Sequence, residues 1–176
     1  MSSDKNLRAL LLLPLLLLPS ACGFEPMYAR PDAASQKSVA AAYSNVEIAN
    51  IPDREGQYLR NALIDRLYLA GRPADAPFVL EIAPLQTTLT NQAVRKDATY
   101  TRALMEISTV MRLRERASGT VVLERKQRAL GSYNLLDNQF ATLSSKESLN
   151  EHLLDELADS VQTALALHFH TKNTQP

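Results

Sequence analysis

The clearest pattern in the chain is an alternation of apolar and polar residues from Tyr100 to Glu115. Successive side chains of a strand point to opposite faces of a sheet, so this period of two predicts a long strand with one buried face. The buried side would hold Ala103, Met105, Ile107, Thr109, Met111 and Leu113, and the polar side Arg102, Glu106, Ser108, Arg112 and Arg114. Leu104 and Val110 are apolar exceptions on the polar side.

A hairpin partner is expected directly after this strand, because Ala117-Ser118-Gly119 is typical of a tight turn. The return strand is predicted from Thr120 to Tyr133, with Val121, Leu123 and Ala129 facing inward. If odd-numbered residues are buried on both strands, Leu113 lies opposite Leu123 inside. Arg112 then lies opposite Glu124 on the outside.

Two further strands are predicted upstream of this hairpin. In Tyr43–Ile51, Val46 and Ile48 alternate with Glu47 and Ala49. In Phe78–Asn91 the apolar positions change parity, from Phe78, Leu80 and Ile82 to Leu85, Thr87 and Leu89. Such a change requires an extra residue if the side chains stay in the core, and Pro84 removes a ladder donor at the same place. We therefore expect a bulge or an edge position near Pro84.

Two segments have the spacing of three and four residues that gives a helix one apolar face. The first is Arg54–Ala70, with Asp53 as its N-cap and Gly71 as its left-handed end. The second is opened by a capping box at Ser144–Glu147 and continues to about Phe169. Their apolar positions are Leu59, Ala62, Leu63, Leu67 and Ala70 in the first, and Leu149, Leu153, Leu157, Val161, Ala164 and Leu165 in the second.

The predicted element order is β-α-β-β-β-α. Two helices with one apolar face each, and strands with one core face each, bury their apolar surfaces by packing as two layers. The fold class is therefore α/β in the α+β sense. It is predicted as a two-layer sandwich in which two helices pack on a four-stranded mixed sheet.

The amino-terminal residues have the pattern of an export signal. Lys5 and Arg8 precede a short apolar block, and Ser20-Ala21 supply the small residues that a signal peptidase accepts. The block is about ten residues, whereas a transmembrane helix needs roughly 20, so a retained membrane span is the poorer interpretation. Cys22 follows directly, where a lipoprotein signal places the cysteine that receives the lipid, although Pro19 replaces the usual leucine of that signal. A free cysteine remains the alternative.

The predicted organisation has one folded domain. A signal peptide covers residues 1–21, a lipidated start and tether 22–42, the domain 43–170 and a disordered tail 171–176. Two of the 19 basic and one of the 19 acidic residues lie in the signal, which leaves 17 against 18 in the other 155 residues. This balance gives no argument for a nucleic-acid partner.

No catalytic or cofactor-binding pattern is found, so neither enzymatic activity nor a cofactor is expected. His168 and His170 are two residues apart, a spacing that does not share a helix face, and no cysteine or paired acid completes a tetrahedral metal set with His152. The sequence contains no glycine-rich phosphate loop and no nucleophile elbow.

Two basic clusters leave two interpretations open. Arg95-Lys96 falls at the predicted tip between the second and third strands, and Arg125-Lys126-Gln127-Arg128 lies along the fourth. Each cluster is either a solvated surface or an edge that recognises phosphate, since arginine and lysine form charge-assisted hydrogen bonds with phosphate oxygens.

Several short motifs resemble the alphaproteobacterial members of the LPS-assembly lipoprotein LptE family. They are Cys22-Gly23-Phe24-Glu25-Pro26-Met27-Tyr28, the stretch from Ile51 to Asn61, Ala98-Thr99-Tyr100-Thr101-Arg102, Tyr133-Asn134 and Gln139-Phe140-Ala141-Thr142-Leu143. Met27 stands where that family usually has leucine, and Phe140 where it has tyrosine. Together the motifs extend over nearly all of the chain after the signal.

The resemblance implies a lipoprotein with palmitate among its acyl chains, anchored through Cys22 in the outer membrane and facing the periplasm. It implies that the protein plugs the LPS-assembly barrel LptD and helps to place lipopolysaccharide in the outer leaflet. Arg95, Lys96 and Arg102 are the expected contacts for lipopolysaccharide. An auxiliary lipoprotein of an intermembrane lipid transporter of the ABC type is the alternative function.

Overall fold

The structure is a computed structural model that describes residues 42–69, 71–94, 100–135 and 138–174. Within these residues the chain forms five strands and two helices. They are β1 (Val46–Ile48), α1 (Asp53–Leu67), β2 (Phe78–Ile82), β3 (Gln86–Val94), β4 (Tyr100–Glu115), β5 (Val121–Asn134) and α2 (Gln139–Thr174). This confirms the predicted fold class and the order of helices and strands. The signal peptide, Cys22 and most of the tether lie outside the described residues.

The sheet is built around β4. On one side β4 pairs antiparallel with β2 through residues 111–115 and with β3 through residues 100–108, and on its other side it pairs antiparallel with β5. β1 pairs in parallel with β2, so the open sheet is mixed.

The hairpin of β4 and β5 has the predicted register. Leu113 is the partner of Leu123, and Arg112 is the partner of Glu124. Gly119 completes the turn with a φ of +69°, a conformation that favours glycine. Val121 was predicted to face inward, but it is exposed because the register shifts between Leu113 and Arg114. The bulge turns the first residue of β5 away from the core.

The sheet has one strand more than predicted, because Phe78–Asn91 divides at Pro84 into β2 and β3. Ile82 pairs with Met111, and Gln86 pairs with Ser108. The chain therefore advances four residues from β2 to β3 while β4 advances three. This is the extra residue that the parity change predicts. The gap is bridged by Ala83, whose N–H donates to the Val110 carbonyl at 3.0 Å and whose carbonyl accepts from Thr109 Oγ1 at 2.7 Å.

The ends of α1 differ from the prediction. Pro52 occupies the N-cap position with extended backbone, and no side chain caps this helix end. Asp53 lies inside the helix with a φ of +67°, so it is not the cap. The helix ends at Leu67, three residues earlier than predicted. Tyr68 follows, and its hydroxyl accepts a hydrogen bond from the Ile48 N–H at 2.9 Å, which ties this end to β1.

α2 begins before its predicted capping box. Asn138 Oδ1 accepts from the N–H groups of Phe140 and Ala141 at 3.0 and 3.4 Å, so Asn138 caps the helix. Ser145 is already inside, where its hydroxyl donates to the Ala141 carbonyl at 2.8 Å. The helix continues to Thr174, five residues beyond the predicted end and into the segment predicted as the tail.

The core lies between the sheet and the two helices. All six residues predicted on the buried side of β4 are buried, and so are Leu59, Leu63 and Leu67 of α1. From α2 the buried residues include Leu153, Leu157, Val161 and Leu165. Gly131 of β5 lets α2 approach closely, because a Cβ there would lie 2.6 Å from Leu149 Cδ1. The other face of the sheet is left without a helix in the part of the chain that the structure describes.

Candidate functional site

Of the three predicted lipopolysaccharide contacts, Arg102 is the one that the structure describes. Arg95 and Lys96, like Cys22, lie outside the described residues. Arg102 is exposed on β4, where its Cα partners are Gln92 of β3 and Asn134 of β5. Val94 and Tyr100 pair with each other, so the chain leaves and re-enters the sheet at the same end as Arg102. We call this the distal end.

Apolar side chains are exposed at the distal end. Phe140 and Leu143, in the first turns of α2, are 80% and 60% exposed. Nearer the middle of the sheet, Leu130 of β5 lies opposite Glu106 and is 53% exposed on the face without helices. Leu104, noted above as an exception on the polar face, is opposite Ser132 and therefore diagonal to Leu130. Leu104, one of the two apolar exceptions, is therefore partly exposed beside Leu130 on this face.

An open cavity of about 290 Å³ lies beside Leu143. Leu135, Gln139, Thr142, Leu143 and Lys146 line it. Leu135 follows Asn134, the Cα partner of Arg102, which puts the cavity at the distal end. Apolar side chains beside Lys146 suit a ligand that combines acyl chains with anionic groups. The sequence analysis indicated Arg102 but not Lys146, and it did not show that this apolar surface is left uncovered.

At the opposite, hairpin end of the sheet, two arginines of β4 on the helix-free face are neutralised. Arg112 Nε donates to Glu124 at 2.7 Å, and Arg114 donates through two nitrogens to the Glu81 carboxylate at 3.1 Å each. Hydrogen bonds from Arg114 hold the pKa of Glu81 below its ordinary value of 4.5. The same carboxylates raise the pKa of both guanidinium groups. Because both arginines already bind carboxylates within the sheet, neither is a good candidate for binding an anionic ligand.

The second basic cluster differs from these paired arginines. Arg125, Lys126 and Arg128 of β5 are exposed, and none of them forms an ion pair with a described residue. Arg102 is likewise without an ion pair to any described residue. Charge that could meet an anionic partner is therefore found at the distal end and along β5.

Side-chain hydrogen bonds join the two helices. Arg66 donates to Asp159 at 2.6 Å and to Asp155 at 3.2 Å, and Asp155 also accepts from the Tyr58 hydroxyl at 3.2 Å. Hydrogen bonding to Asp159 is the first cause of the raised pKa of Arg66. Because each of these groups has its partner on the facing helix, we interpret the contacts as a link between α1 and α2.

The described residues contain no group of three or more His, Cys, Asp or Glu side chains that could hold a metal ion. No helix within the same residues is both long and apolar enough to span a membrane.

Several solved structures of proteins described as lipoproteins share this fold. A protein from Caulobacter crescentus CB15, assigned as a lipoprotein, matches with a TM-score of 0.60 and 21% identity, over 77% of this chain and 98% of that one. Rare lipoprotein B from Shewanella oneidensis matches with a TM-score of 0.59 and 11% identity, over 73% and 97%. A minor lipoprotein from Acinetobacter baumannii matches with a TM-score of 0.55 and 15% identity, over 71% and 94%.

No family model matches the chain, and no curated protein matches its sequence. The similarity to the three lipoproteins is therefore one of fold. It covers nearly their whole length.

Proposed function

We propose that this protein is a lipoprotein of the LptE kind, anchored through Cys22 in the outer membrane and facing the periplasm. It sits inside the barrel LptD as a plug and assists the placement of lipopolysaccharide in the outer leaflet. It is not an enzyme, and it contributes binding surfaces only. The motifs that resemble the LptE family and the fold shared with other lipoproteins support this proposal.

The observation that carries the proposal is the mixed character of the distal end. Arg102 and Lys146 lie at the end of the sheet where Phe140 and Leu143 are exposed. Lipopolysaccharide presents phosphates beside acyl chains, so it matches a surface of this composition. Exposed apolar side chains are also expected where a protein is enclosed by a partner.

Copurification tests the proposed partner. The full chain, isolated from cell envelopes after mild crosslinking, should bring down a large outer-membrane barrel. Recovery of an inner-membrane ATPase complex instead would support the auxiliary lipoprotein of a lipid transporter and contradict the proposal. Cys22→Ser is the control for recovery that depends only on crowding at the membrane.

Charge reversal tests the lipid contact. Arg95→Glu combined with Lys96→Glu, and separately Arg102→Glu, should weaken lipopolysaccharide binding by about tenfold or more at low salt, roughly 1.4 kcal/mol. High salt should reduce the difference, because screening weakens contacts with phosphate. Arg72→Glu is the matched control, since Arg72 is exposed in the connection between α1 and β2. Binding as tight as that of the parent at low salt would exclude these residues as contacts.

A further inference from the structure

The outer edge of β5 is a long row of backbone groups that no described strand pairs with. The direction of these groups follows from the ladder. Ala83 N–H donates to the Val110 carbonyl, whereas Glu115 N–H donates to the Thr120 carbonyl. In β4, even-numbered residues therefore direct their backbone groups toward β2, and odd-numbered residues direct theirs toward the returning strand.

The same alternation fixes β5. Odd residues of β4 pair with odd residues of β5, as Met111 does with Arg125 and Thr109 with Gln127. The backbone groups of Arg125 and Gln127 are therefore used by the ladder. Those of Lys126 and Arg128, between and after them, point away from β4 along the outer edge. Further toward the distal end, Leu130 and Ser132 follow the same pattern.

The charge along this edge is positive. Arg125, Lys126 and Arg128 are exposed and have no ion pair among the described residues. Arg112 and Arg114 on the neighbouring β4 are both paired with carboxylates. A segment that binds beside β5 would meet two cations on one face of the sheet, Lys126 and Arg128, and a third, Arg125, on the other. Carboxylates are the side chains that complement this arrangement.

An open groove runs between this edge and α2. It has a volume of about 320 Å³, and its lining includes Arg125, Thr163, Ala164 and Leu167. Leu167 is 61% exposed. Gln127 closes the groove on the core side, where its Oε1 accepts from Ser160 Oγ at 2.7 Å. A strand added to β5 would turn every second side chain into this groove, where apolar side chains can pack on Ala164 and Leu167.

We infer that the outer edge of β5 is an acceptor for an extended acidic segment of a partner protein, which adds to the sheet as a further strand. Backbone hydrogen bonds to Lys126 and Arg128 would supply affinity, and the cations and the groove would select acidic and apolar side chains in alternation. The inference does not depend on the proposed lipid contact, because it concerns the β5 edge and a protein ligand.

Amide hydrogen exchange of the full chain, measured by NMR, tests the inference. The probe is a synthetic peptide of about ten residues, the upper length of a common strand, in which glutamate alternates with valine. In the free protein the amides of Lys126 and Arg128 should exchange rapidly, while those of Arg125 and Gln127 are protected by β4. The acidic peptide should slow exchange at Lys126 and Arg128 by at least about tenfold, and a peptide with lysine in place of glutamate should not.

Two variants separate backbone pairing from charge attraction. Lys126→Pro removes an outward-pointing N–H, which an edge strand tolerates, so the protein should fold and lose the peptide. Arg125→Pro removes a donor to β4 and should instead destabilise the hairpin. Lys126→Glu should weaken peptide binding about tenfold or more, whereas Arg72→Glu should leave it unchanged.

Several results would overturn the inference. Slow exchange at Lys126 and Arg128 in the free protein would mean that another segment of the chain already covers the edge. Unchanged exchange in the presence of the acidic peptide would mean that the cations only prevent other strands from pairing with this edge. Protection by lipopolysaccharide and not by the peptide would make this edge a lipid contact. Peptide binding that survives Lys126→Pro would exclude strand addition.

Discussion

Gly56 is a residue that packing, and not helix propensity, requires. It is buried in α1, and a Cβ there would lie 2.7 Å from Ile51 Cγ2 and 3.2 Å from the Ile51 carbonyl carbon and oxygen. Backbone atoms cannot move aside as a flexible side chain can. Gly56→Ala should therefore lower the free energy of unfolding by about 1–2 kcal/mol, since overpacking exceeds the gain in helix propensity.

Urea denaturation monitored by circular dichroism measures this change. Asn61→Ala, at an exposed position of the same helix, is the control and should alter stability by no more than about 0.5 kcal/mol. A Gly56→Ala variant that is as stable as the parent would show that Ile51 and the start of α1 can shift apart.

Glu81 makes the stability of the protein depend on pH. Its pKa is lowered in the folded state, chiefly by hydrogen bonds from Arg114. The pair therefore stabilises the fold fully above the ordinary value of 4.5, and this contribution is lost as pH falls through the lowered folded value. Because both side chains are partly exposed, Glu81→Gln should cost only about 0.5–1 kcal/mol at pH 7. The two proteins should converge in stability once the pH is below the lowered pKa of Glu81 in the folded state.

Denaturation curves of the parent and of Glu81→Gln across this pH range give the difference directly. Glu106→Gln is a suitable control, because Glu106 forms no ion pair with a described residue. A difference between parent and Glu81→Gln that persists unchanged into strong acid would contradict the assignment to the charged pair.

At the scale of elements, α2 begins before the local sequence motif that predicted its start. Ser144 to Glu147 has the composition of a capping box, yet Asn138 caps the helix. Asn138→Ala should destabilise the protein by about 1 kcal/mol, because two N–H groups of the first turn lose their acceptor. Ser144→Ala should be neutral or slightly stabilising, since Ser144 lies inside the helix.

Thermal unfolding of the two variants distinguishes the two candidate starts. If Ser144→Ala costs more than Asn138→Ala, the helix begins at the sequence motif and its first turn is not helical in solution.

At the scale of the whole molecule, the proposed lipid anchor at Cys22 predicts where the protein resides. Cys22→Ser removes the thiol to which lipid is attached in a lipoprotein, so the variant should remain in the soluble periplasmic fraction or stay unprocessed. Its unfolding curve should match that of the parent, because a chain with a single cysteine loses no internal disulfide. Fractionation combined with palmitate labelling provides the measurement, and labelling that persists in the serine variant would refute the anchor.

The sequence by itself determined the elements whose evidence is local. Alternation specified β4, the register of its hairpin with β5, and the extra residue near Pro84, because side-chain direction along a strand follows from backbone geometry alone. The helical stripes of α1 and α2 were specified for the same reason. The cations of the candidate site and the position of Cys22 are also visible in the sequence.

Only the tertiary structure decided which predicted faces are covered. Leu89 follows the core parity of its strand and is nevertheless 46% exposed, because burial depends on where a helix lies over the sheet. The uncovered distal end has the same origin. Arg112 and Lys126 look alike in the sequence. They differ because only Arg112 has a carboxylate on the neighbouring strand within hydrogen-bonding distance among the described residues, which leaves Lys126 available to a partner.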